Sequence, residues 1–405
     1  MNQELNAKLN ILIKSIEDSL NDIRKNGRKA RELKKTIQNS RDIVTQVLEQ
    51  QLGGVSLEDQ INISDIPDDD WIITAKHIID YIDDPFVPVN EYENYFLQLI
   101  NYLVTTDKNK LVENMMFSFN KIKDEHEEVH EMLVSLLAGY NLPVVSTEES
   151  PSVFEMRAEA LKQHSYDLLW LYRHTGDYLS KRTLAAVLMN WADFQFTALD
   201  VVKSIFKKYW EPDIFSDNKD DIVADIGAGT GDELKEFIEV YGARYKHIYA
   251  YEPSPRTFDD LAENIREWQI QNIDIFNKEA GAIKAKKVIQ NSSESDGMMI
   301  RMSNPEKDEE KIVDIIRIDD DIKEPISFIK ISAGVDTQSA LIGCLKTIKK
   351  NHPKIAICVD SGFEDIWKIP SIVYTVFPGY SFYLRHYGED LVPKDFVLFC
   401  NPPKA

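Results

Sequence analysis

The 405-residue sequence predicts an α/β fold in its C-terminal half, preceded by an all-helical N-terminal half. After Trp210, short runs rich in β-branched residues alternate with helical patterns, which is typical of a mostly parallel sheet covered by helices on both faces. Before residue 208, apolar residues recur at spacings of three and four, which indicates packed helices. A glycine-rich turn after the first predicted strand predicts a ligand site at the carboxyl edge of the sheet.

The first of three predicted parts, residues 1–52, is a long helix. Its apolar residues repeat with a period of seven, so that Leu9, Ile16 and Ile23 share one heptad position. Two interpretations stay open: an amphipathic helix that packs on its own chain, and a coiled coil that forms a homodimer. The glycine pair at 53–54 ends this helix.

The second predicted part, residues 53–208, is an all-helical domain, and the third, residues 209–405, holds the sheet. The predicted helical runs of the second part cover residues 71–82, 92–104, 111–140, 154–172 and 179–209. The predicted strands of the third part cover residues 222–226, 247–251, 272–276, 312–318, 327–331 and 354–359, with two late strands near 381–387 and 394–400.

The composition argues against several classes of protein. Asp and Glu number 68 against 47 Lys and Arg, and the formal charge of −21 disfavours nucleic-acid and anionic-membrane partners. The three cysteines lie in apolar runs without metal-ligand spacing, and no apolar run approaches the roughly 18 residues of a membrane span. The N-terminal residues also lack the basic head and apolar region of a secretion signal. We therefore expect a cytoplasmic protein without a membrane partner.

One motif in the helical half, His126 to His130, has the spacing H-E-x-x-H that binds zinc in metalloproteases. The acidic residues Glu128 and Glu131 indicate a solvated helix face instead of the mostly uncharged one that backs a buried metal. The preferred interpretation is a chance match, so no metal site is predicted. A zinc site at His126 and His130 stays open as the alternative.

The strongest signal for a ligand is the run DIGAGTGD at 225–232, directly after the first predicted strand. Its three glycines let the main chain approach a ligand where a side chain would block it. The spacing G-x-G-x-G differs from the G-x-G-x-x-G of dinucleotide sites and favours a nucleoside cofactor without a pyrophosphate. Glu252 closes the next strand, where a carboxylate can accept hydrogen bonds from both ribose hydroxyls. Together these features favour S-adenosylmethionine over NAD.

Residues 209–401 resemble the FkbM family of S-adenosylmethionine-dependent methyltransferases. The resemblance lies in the blocks ADIGAGTGDE, IYAYEPSPRTFDDLAENI, IRIDDDI, FIKIS followed by SALIGCLKTIKKNHPKIAICV, EDIWKIP and YSFYLRHYGEDLVPKDFVLFC. It implies a seven-stranded, Rossmann-like class I methyltransferase sheet with S-adenosylmethionine as cofactor. It also implies O-methylation of a hydroxyl on a sugar or another small molecule. The cofactor-binding residues that it implies are Asp225, Gly227, Ala228, Gly229, Gly231 and Glu252, together with Asn277, just past the third strand, as a candidate for the edge of the adenine ring.

The side of the site that would face the methyl acceptor departs from the family pattern. Members carry Lys-x-Asp-x-Glu-Gly-x-Glu after the fourth strand, whereas this sequence keeps Lys330 and has Ser332 and Gly334 in place of the first two acids. The candidates for a catalytic role are then His386, since imidazole suits base chemistry near neutral pH, together with Lys330 and Asp360. A structural role for His386 and a solvated strand end for Lys330 stay open as alternatives.

Two functions follow from these observations. The first is a methyltransferase that acts on a small-molecule or glycan acceptor. The second is a catalytically silent module that binds S-adenosylmethionine within an interaction or assembly protein, and it is motivated by the acids missing at Ser332 and Gly334.

Overall fold

The structure is a computed structural model that describes residues 73–74, 77–78, 80–81, 84–138, 152–216, 219–290, 310–362, 364–388 and 394–403. The chain divides into two compact units, 1–90 and 91–405. In the first unit, the described residues at 73–74, 77–78 and 80–81 are helical. The long helix predicted for residues 1–52, and with it the coiled coil, lies outside the described residues.

The second unit begins with helices. They are α1 (Glu91–Thr105), α2 (Lys108–Glu125), α3 (Glu127–Ala138), α4 (Val153–Gln163), α5 (Ser165–His174), α6 (Tyr178–Asp193) and α7 (Phe196–Asp200). At the start of several of these helices, a side chain accepts a hydrogen bond from a backbone N–H group of the first turn. Asp107 caps α2, Ser152 caps α4 in a capping box with Glu155, and Asp177 caps α6.

Three predicted helical runs are shorter in the structure than in the prediction. His126 separates α2 from α3 and His164 separates α4 from α5, because both have non-helical backbone torsions (φ −149° and −104°). Phe194 ends α6 in the left-handed region at φ 50°, and residues 201–209 form turns and isolated bridges. Apolar periodicity continues across these breaks because the neighbouring helices bury their apolar faces as well.

The break at His126 also divides the H-E-x-x-H motif. His126 ends α2, whereas His130 lies in α3 and packs against Phe119 with ring centroids 4.4 Å apart. Within the described ranges, no group of three or more His, Cys, Asp or Glu side chains has the geometry of a metal site.

The main sheet has seven strands: β1 (Ile222–Ile226), β2 (His247–Tyr251), β3 (Ile273–Phe276), β7 (Phe328–Ile331), β8 (Lys354–Cys358), β9 (Ser381–His386) and β10 (Phe396–Asn401). They follow the order β3-β2-β1-β7-β8-β10-β9, and only β10 runs antiparallel to its neighbours. The strand order reverses between β1 and β7, which places the switch point at their carboxyl ends. The predicted seven-stranded α/β sheet is confirmed.

A second, smaller sheet follows β3. Its strands are β4 (Lys278–Ala280), β5 (Ala285–Gln290) and β6 (Glu310–Ile316), in the order β4-β6-β5. The run at 312–318, predicted as one more strand of the parallel sheet, therefore belongs largely to this second sheet. Val288 and Ile312 are 55% and 67% exposed there, whereas Val313 is buried, so the β-branched run marks a strand with one exposed face.

The remaining helices lie between the strands in chain order. They are α8 (Asp232–Tyr241), α9 (Pro255–Glu267), α10 (Ile318–Asp321), α11 (Thr337–Ile342), α12 (Leu345–Asn351) and α13 (Asp365–Val376). An aromatic core fills the space beneath one face, where Phe328 of β7 contacts Trp210 and Phe215 at centroid distances of 5.7 and 5.2 Å. Phe215 in turn contacts Phe399 of β10 at 5.5 Å.

Helices from the first half of the unit pack against the edge strand β9. The Gly176 N–H donates to the Phe382 carbonyl at 2.7 Å, and the Leu384 N–H donates to Ser180 Oγ at 3.0 Å. Asp177 holds the buried Arg385 guanidinium through Oδ2 at 2.6 Å. The helical residues from 91 onward and the sheet therefore form one packed body. No helix in the described part of the chain is long and apolar enough to cross a membrane.

Candidate functional site

The ends of three adjacent strands bring together two predicted cofactor-binding residues, Asp225 and Glu252, and one catalytic candidate, Lys330. Asp225 lies in β1, Glu252 directly follows β2, and Lys330 lies in β7, and these strands are neighbours in the sheet. In the register of β1 and β7, Asp225 lies opposite Lys330. All three side chains are at most 7% exposed. The switch point is thus lined by charged groups that are withdrawn from solvent.

The glycine loop between β1 and α8 needs its glycines for two different reasons. Gly227, Gly229 and Gly231 all have positive φ (74°, 58° and 91°), which L-residues with side chains rarely adopt. A Cβ at Gly231 would also lie 2.8 Å from Leu261 Cδ1, so this glycine lets α9 pack against the loop. A Cβ at Gly229 would meet nothing within 4 Å, which leaves open space beside the main chain there.

The loop is fastened to β2 by main-chain hydrogen bonds. The N–H groups of Gly227 and Ala228 both donate to the Tyr251 carbonyl, at 2.9 and 3.0 Å. Asn264 of α9 donates through Nδ2 to the Thr230 carbonyl at 2.9 Å, and the sequence prediction did not include this residue. In the sequence, the only indication of this role is the position of Asn264 in the helix that follows β2.

Glu252 joins the loop to the end of β2. Its Oε2 accepts the Gly229 N–H at 2.9 Å, and its Oε1 accepts the Ser254 N–H at 2.8 Å. Burial raises the pKa of Glu252 above its usual value, although the Ser254 and Gly229 N–H groups oppose that shift. Each oxygen keeps lone-pair capacity for another donor, so a carboxylate fixed in this way suits a pair of ribose hydroxyls.

Asn277 lies next to this turn and supports it. Its Nδ2 donates to the carbonyls of Glu252 and Pro253, at 2.9 and 3.1 Å. These contacts place the Asn277 amide at the predicted edge of the site, where it holds the backbone after β2. Its contact with an adenine ring stays a prediction.

Lys330 is the cation of a buried network. Its Nζ pairs with Asp225 Oδ1 at 2.8 Å and with Glu233 Oε2, and it donates to the Gly227 carbonyl at 3.2 Å. Burial alone would lower the pKa of the Lys330 ammonium, but the two carboxylates raise it above its usual value. With 0% exposure, Lys330 is not a solvated strand-end cation, and that alternative is wrong.

Glu233 is the member of this network that sequence reasoning missed. It lies in the first turn of α8, and its Oε2 also accepts the Ser332 hydroxyl at 3.0 Å. Its side chain is 30% exposed, whereas those of Lys330 and Asp225 are fully buried. A carboxylate therefore stands beside Ser332, supplied by a different element. Its only sequence signal was an acid two positions after the last glycine.

The other two catalytic candidates lie farther along the sheet. Asp360 follows β8, where its Oδ2 accepts the N–H groups of Asp395 and Phe396 and so fixes the start of β10. His386 ends β9, is 1% exposed, and stacks on Phe396 with centroids 4.9 Å apart. Since β7, β8 and β10 separate β9 from β1, the sheet does not bring His386 next to the glycine loop. Catalytic roles for both residues stay predictions.

Asp365 is a further buried acid that the prediction did not include. It begins α13 and accepts the Gln338 amide at 2.7 Å and the Gly362 N–H at 2.9 Å. Burial raises the pKa of Asp365 to about 6, although both hydrogen bonds oppose the shift. This carboxyl group links the segments that follow β7 and β8.

The comparison with solved structures supports this fold. No family model matches the chain, and no curated protein matches it. Among solved structures, the methyltransferase FkbM from Methylobacillus flagellatus superposes with a TM-score of 0.51 at 20% identity. The match spans 61% of this chain and 61% of that one, so each chain has a large part outside it. The resemblance seen in the sequence thus extends to the fold.

Two further matches are methyltransferase structures of lower similarity. Fibrillarin from Aeropyrum pernix, solved with bound S-adenosyl-L-methionine, matches at 13% identity over 55% of this chain and 75% of its own, with a TM-score of 0.30. Precorrin-6y C5,15-methyltransferase from Geobacter metallireducens matches at 14% identity over 47% and 82%, with a TM-score of 0.28.

Proposed function

We propose that this protein is an S-adenosylmethionine-dependent methyltransferase that methylates a hydroxyl of a sugar or another small molecule in the cytoplasm. The observation that carries the proposal is the bond from the Gly229 N–H to Glu252 Oε2. It joins a loop of three positive-φ glycines to a strand-end carboxylate at the switch point. The arrangement offers main-chain groups and a fixed acceptor, which is what a nucleoside needs.

S-Adenosylmethionine, when bound, supplies a methyl group on an already activated sulfonium. The task of the protein is then mainly to bind and align donor and acceptor. The glycine loop would lie against the cofactor through its main chain, and Glu252 would hold the ribose. The acceptor class rests on the family resemblance and on the negative charge, which disfavours nucleic acid.

The second candidate is a silent cofactor-binding module, favoured by the absence of carboxylates at Ser332 and Gly334. Turnover of S-adenosylmethionine distinguishes the active methyltransferase from the silent module. Full-length protein incubated with S-adenosylmethionine and a glycan or small-molecule fraction of a lysate should release S-adenosylhomocysteine above the rate without the fraction. Binding without release, across all fractions, would favour the silent module.

Cofactor binding itself is tested by calorimetry on a pair of glycine variants. Gly229→Leu places a side chain in the open space beside the loop, and we expect it to abolish binding of S-adenosylmethionine. Gly242→Leu is the matched control, because Gly242 also has positive φ (72°) but ends α8, away from the loop. Unchanged affinity in Gly229→Leu, or equal loss in both variants, would show that the loop is not the site.

A further inference from the structure

The charges of four side chains beside the glycine loop do not cancel one another. The Lys330 ammonium faces three carboxylates, those of Asp225, Glu233 and Glu252. Asp225 is buried and its Oδ2 has no hydrogen-bond partner among the described residues. Burial raises the pKa of Asp225 and of Glu252, and the nearby Lys330 ammonium opposes both shifts. In their ionised forms the three carboxylates outnumber the one ammonium, and charges that are partly withdrawn from water interact more strongly than in bulk solvent.

Glu233 is the most exposed carboxylate of this set, and it is not the one assigned to the ribose. Both of its described contacts, from Lys330 and Ser332, go to Oε2. Its Oε1 has no hydrogen bond or ion pair among the described residues, and the side chain is 30% exposed. Lys330 also binds the Gly227 carbonyl, so Glu233 is held against the base of the glycine loop.

We infer that Glu233 is a specificity-determining residue that makes the site prefer the positively charged methyl donor over its neutral thioether product. The inference rests on the proposed function, since it concerns the same cofactor. S-Adenosylmethionine carries one more positive charge than S-adenosylhomocysteine, located at the sulfur. An excess of fixed negative charge beside the loop stabilises that sulfonium and gives the product no equivalent gain. Product is then released more readily than donor.

Lys330 and Ser332 act as positioning residues, because both hold the Glu233 carboxylate. Without the Lys330 ammonium, the three carboxylates would repel one another with no cation between them. The Ser332 hydroxyl donates to Glu233 Oε2 at 3.0 Å and fixes the side-chain torsions. A carboxylate at position 332 would repel Glu233, whereas the Ser332 hydroxyl donates a hydrogen bond to it.

The test measures affinity for two ligands, S-adenosylmethionine and S-adenosylhomocysteine, by calorimetry on the full-length protein. In Glu233→Gln the shape and the hydrogen-bond acceptor remain but the charge is lost. We expect the donor to bind about tenfold more weakly and the product to change by less than about twofold. Glu236→Gln is the matched control on the same helix, because Glu236 pairs with Lys207 at the surface, and we expect it to change neither affinity.

A second variant keeps the inference testable if Glu233→Gln does not fold. Ser332→Ala removes one contact of Glu233 and keeps its charge, so we expect a smaller reduction of the donor preference, about twofold to threefold. Equal weakening of both ligands in Glu233→Gln would show a purely structural latch and overturn the inference. Unchanged affinities would overturn it as well. Failure of the unaltered protein to bind either ligand would instead refute the proposed function, and the inference with it.

Discussion

The two halves of the carboxyl edge use their polar residues in different ways. The β1/β2 half, comprising the glycine loop, Glu252 and the Lys330 network, keeps carboxylate oxygens and open space beside the main chain. In the β8/β9 half, Asp360 binds the backbone of β10 and His386 is buried against Phe396. Similar residue types thus lie at the candidate cofactor site in one half and stabilise the start of β10 in the other. Residue type alone does not distinguish the two uses.

The largest expected effect comes from removing the cation of the β1/β2 half. Lys330→Met leaves Asp225 buried without its ion pair, so we expect the free energy of unfolding to fall by about 3–5 kcal/mol in urea denaturation. The double variant Lys330→Met with Asp225→Leu should recover most of that loss. Lys207→Met, which breaks a surface pair, should have no measurable effect. A loss under about 1 kcal/mol in Lys330→Met would mean that this network does not stabilise the fold.

Asp365 gives a prediction about pH. Its pKa is raised to about 6 by burial, so the folded state holds the proton more tightly than the unfolded state does. The cost of ionising this buried carboxyl is absent below its unfolded pKa and is fully present above about pH 6. Asp365→Asn removes that cost and keeps an acceptor oxygen. We therefore expect its stability relative to the unaltered protein to rise by about 2–3 kcal/mol between pH 4 and pH 7. A pH-independent difference would contradict the assignment.

Gly231 tests the packing of the loop on α9. In Gly231→Ala the new Cβ lies 2.8 Å from Leu261 and the left-handed backbone is strained, so we expect a destabilisation of about 2 kcal/mol. Gly242→Ala has similar backbone strain but its nearest atom is 4.0 Å away, and it should cost about 1 kcal/mol. Thermal unfolding of both variants measures the difference. Equal costs would show that α9 does not require the glycine.

The smallest effect tests the β8/β9 half. Asp360→Asn replaces the oxygen that accepts the Asp395 and Phe396 N–H groups, so we expect a loss of about 1 kcal/mol in stability. Affinity for S-adenosylmethionine should stay the same. If affinity fell while the stability changed little, Asp360 would belong to the cofactor site and the contrast between the halves would fail.

The sequence predicted the parts of the fold that depend on local pattern. The main strands were found because buried parallel strands are continuous apolar runs, and the glycine loop because positive φ strongly favours glycine. The helix breaks at His126, His164 and Phe194 were missed, since apolar periodicity continues through them.

Contacts between distant segments were the part that the sequence could not show. Glu233 and Ser332 are 99 positions apart, and their hydrogen bond exists only because β1 and β7 are neighbours in the sheet. The hydrogen bonds of Asp365 likewise come from segments that follow two different strands, Gln338 after β7 and Gly362 after β8. The acids missing at 332 and 334 therefore do not leave this part of the edge without a carboxylate.

Hydrogen–deuterium exchange of the full-length protein, with and without S-adenosylmethionine, tests whether the cofactor binds at the β1/β2 half. We predict slower exchange in peptides that cover the glycine loop at 225–233 and the turn at 252–254, with no change at 381–386 in β9. The protected loop would be the one that Glu252 holds through the Gly229 N–H. Protection confined to β9 and the segment after β8, or no protection at 225–233 at saturating cofactor, would contradict the assignment of the cofactor to the β1/β2 half.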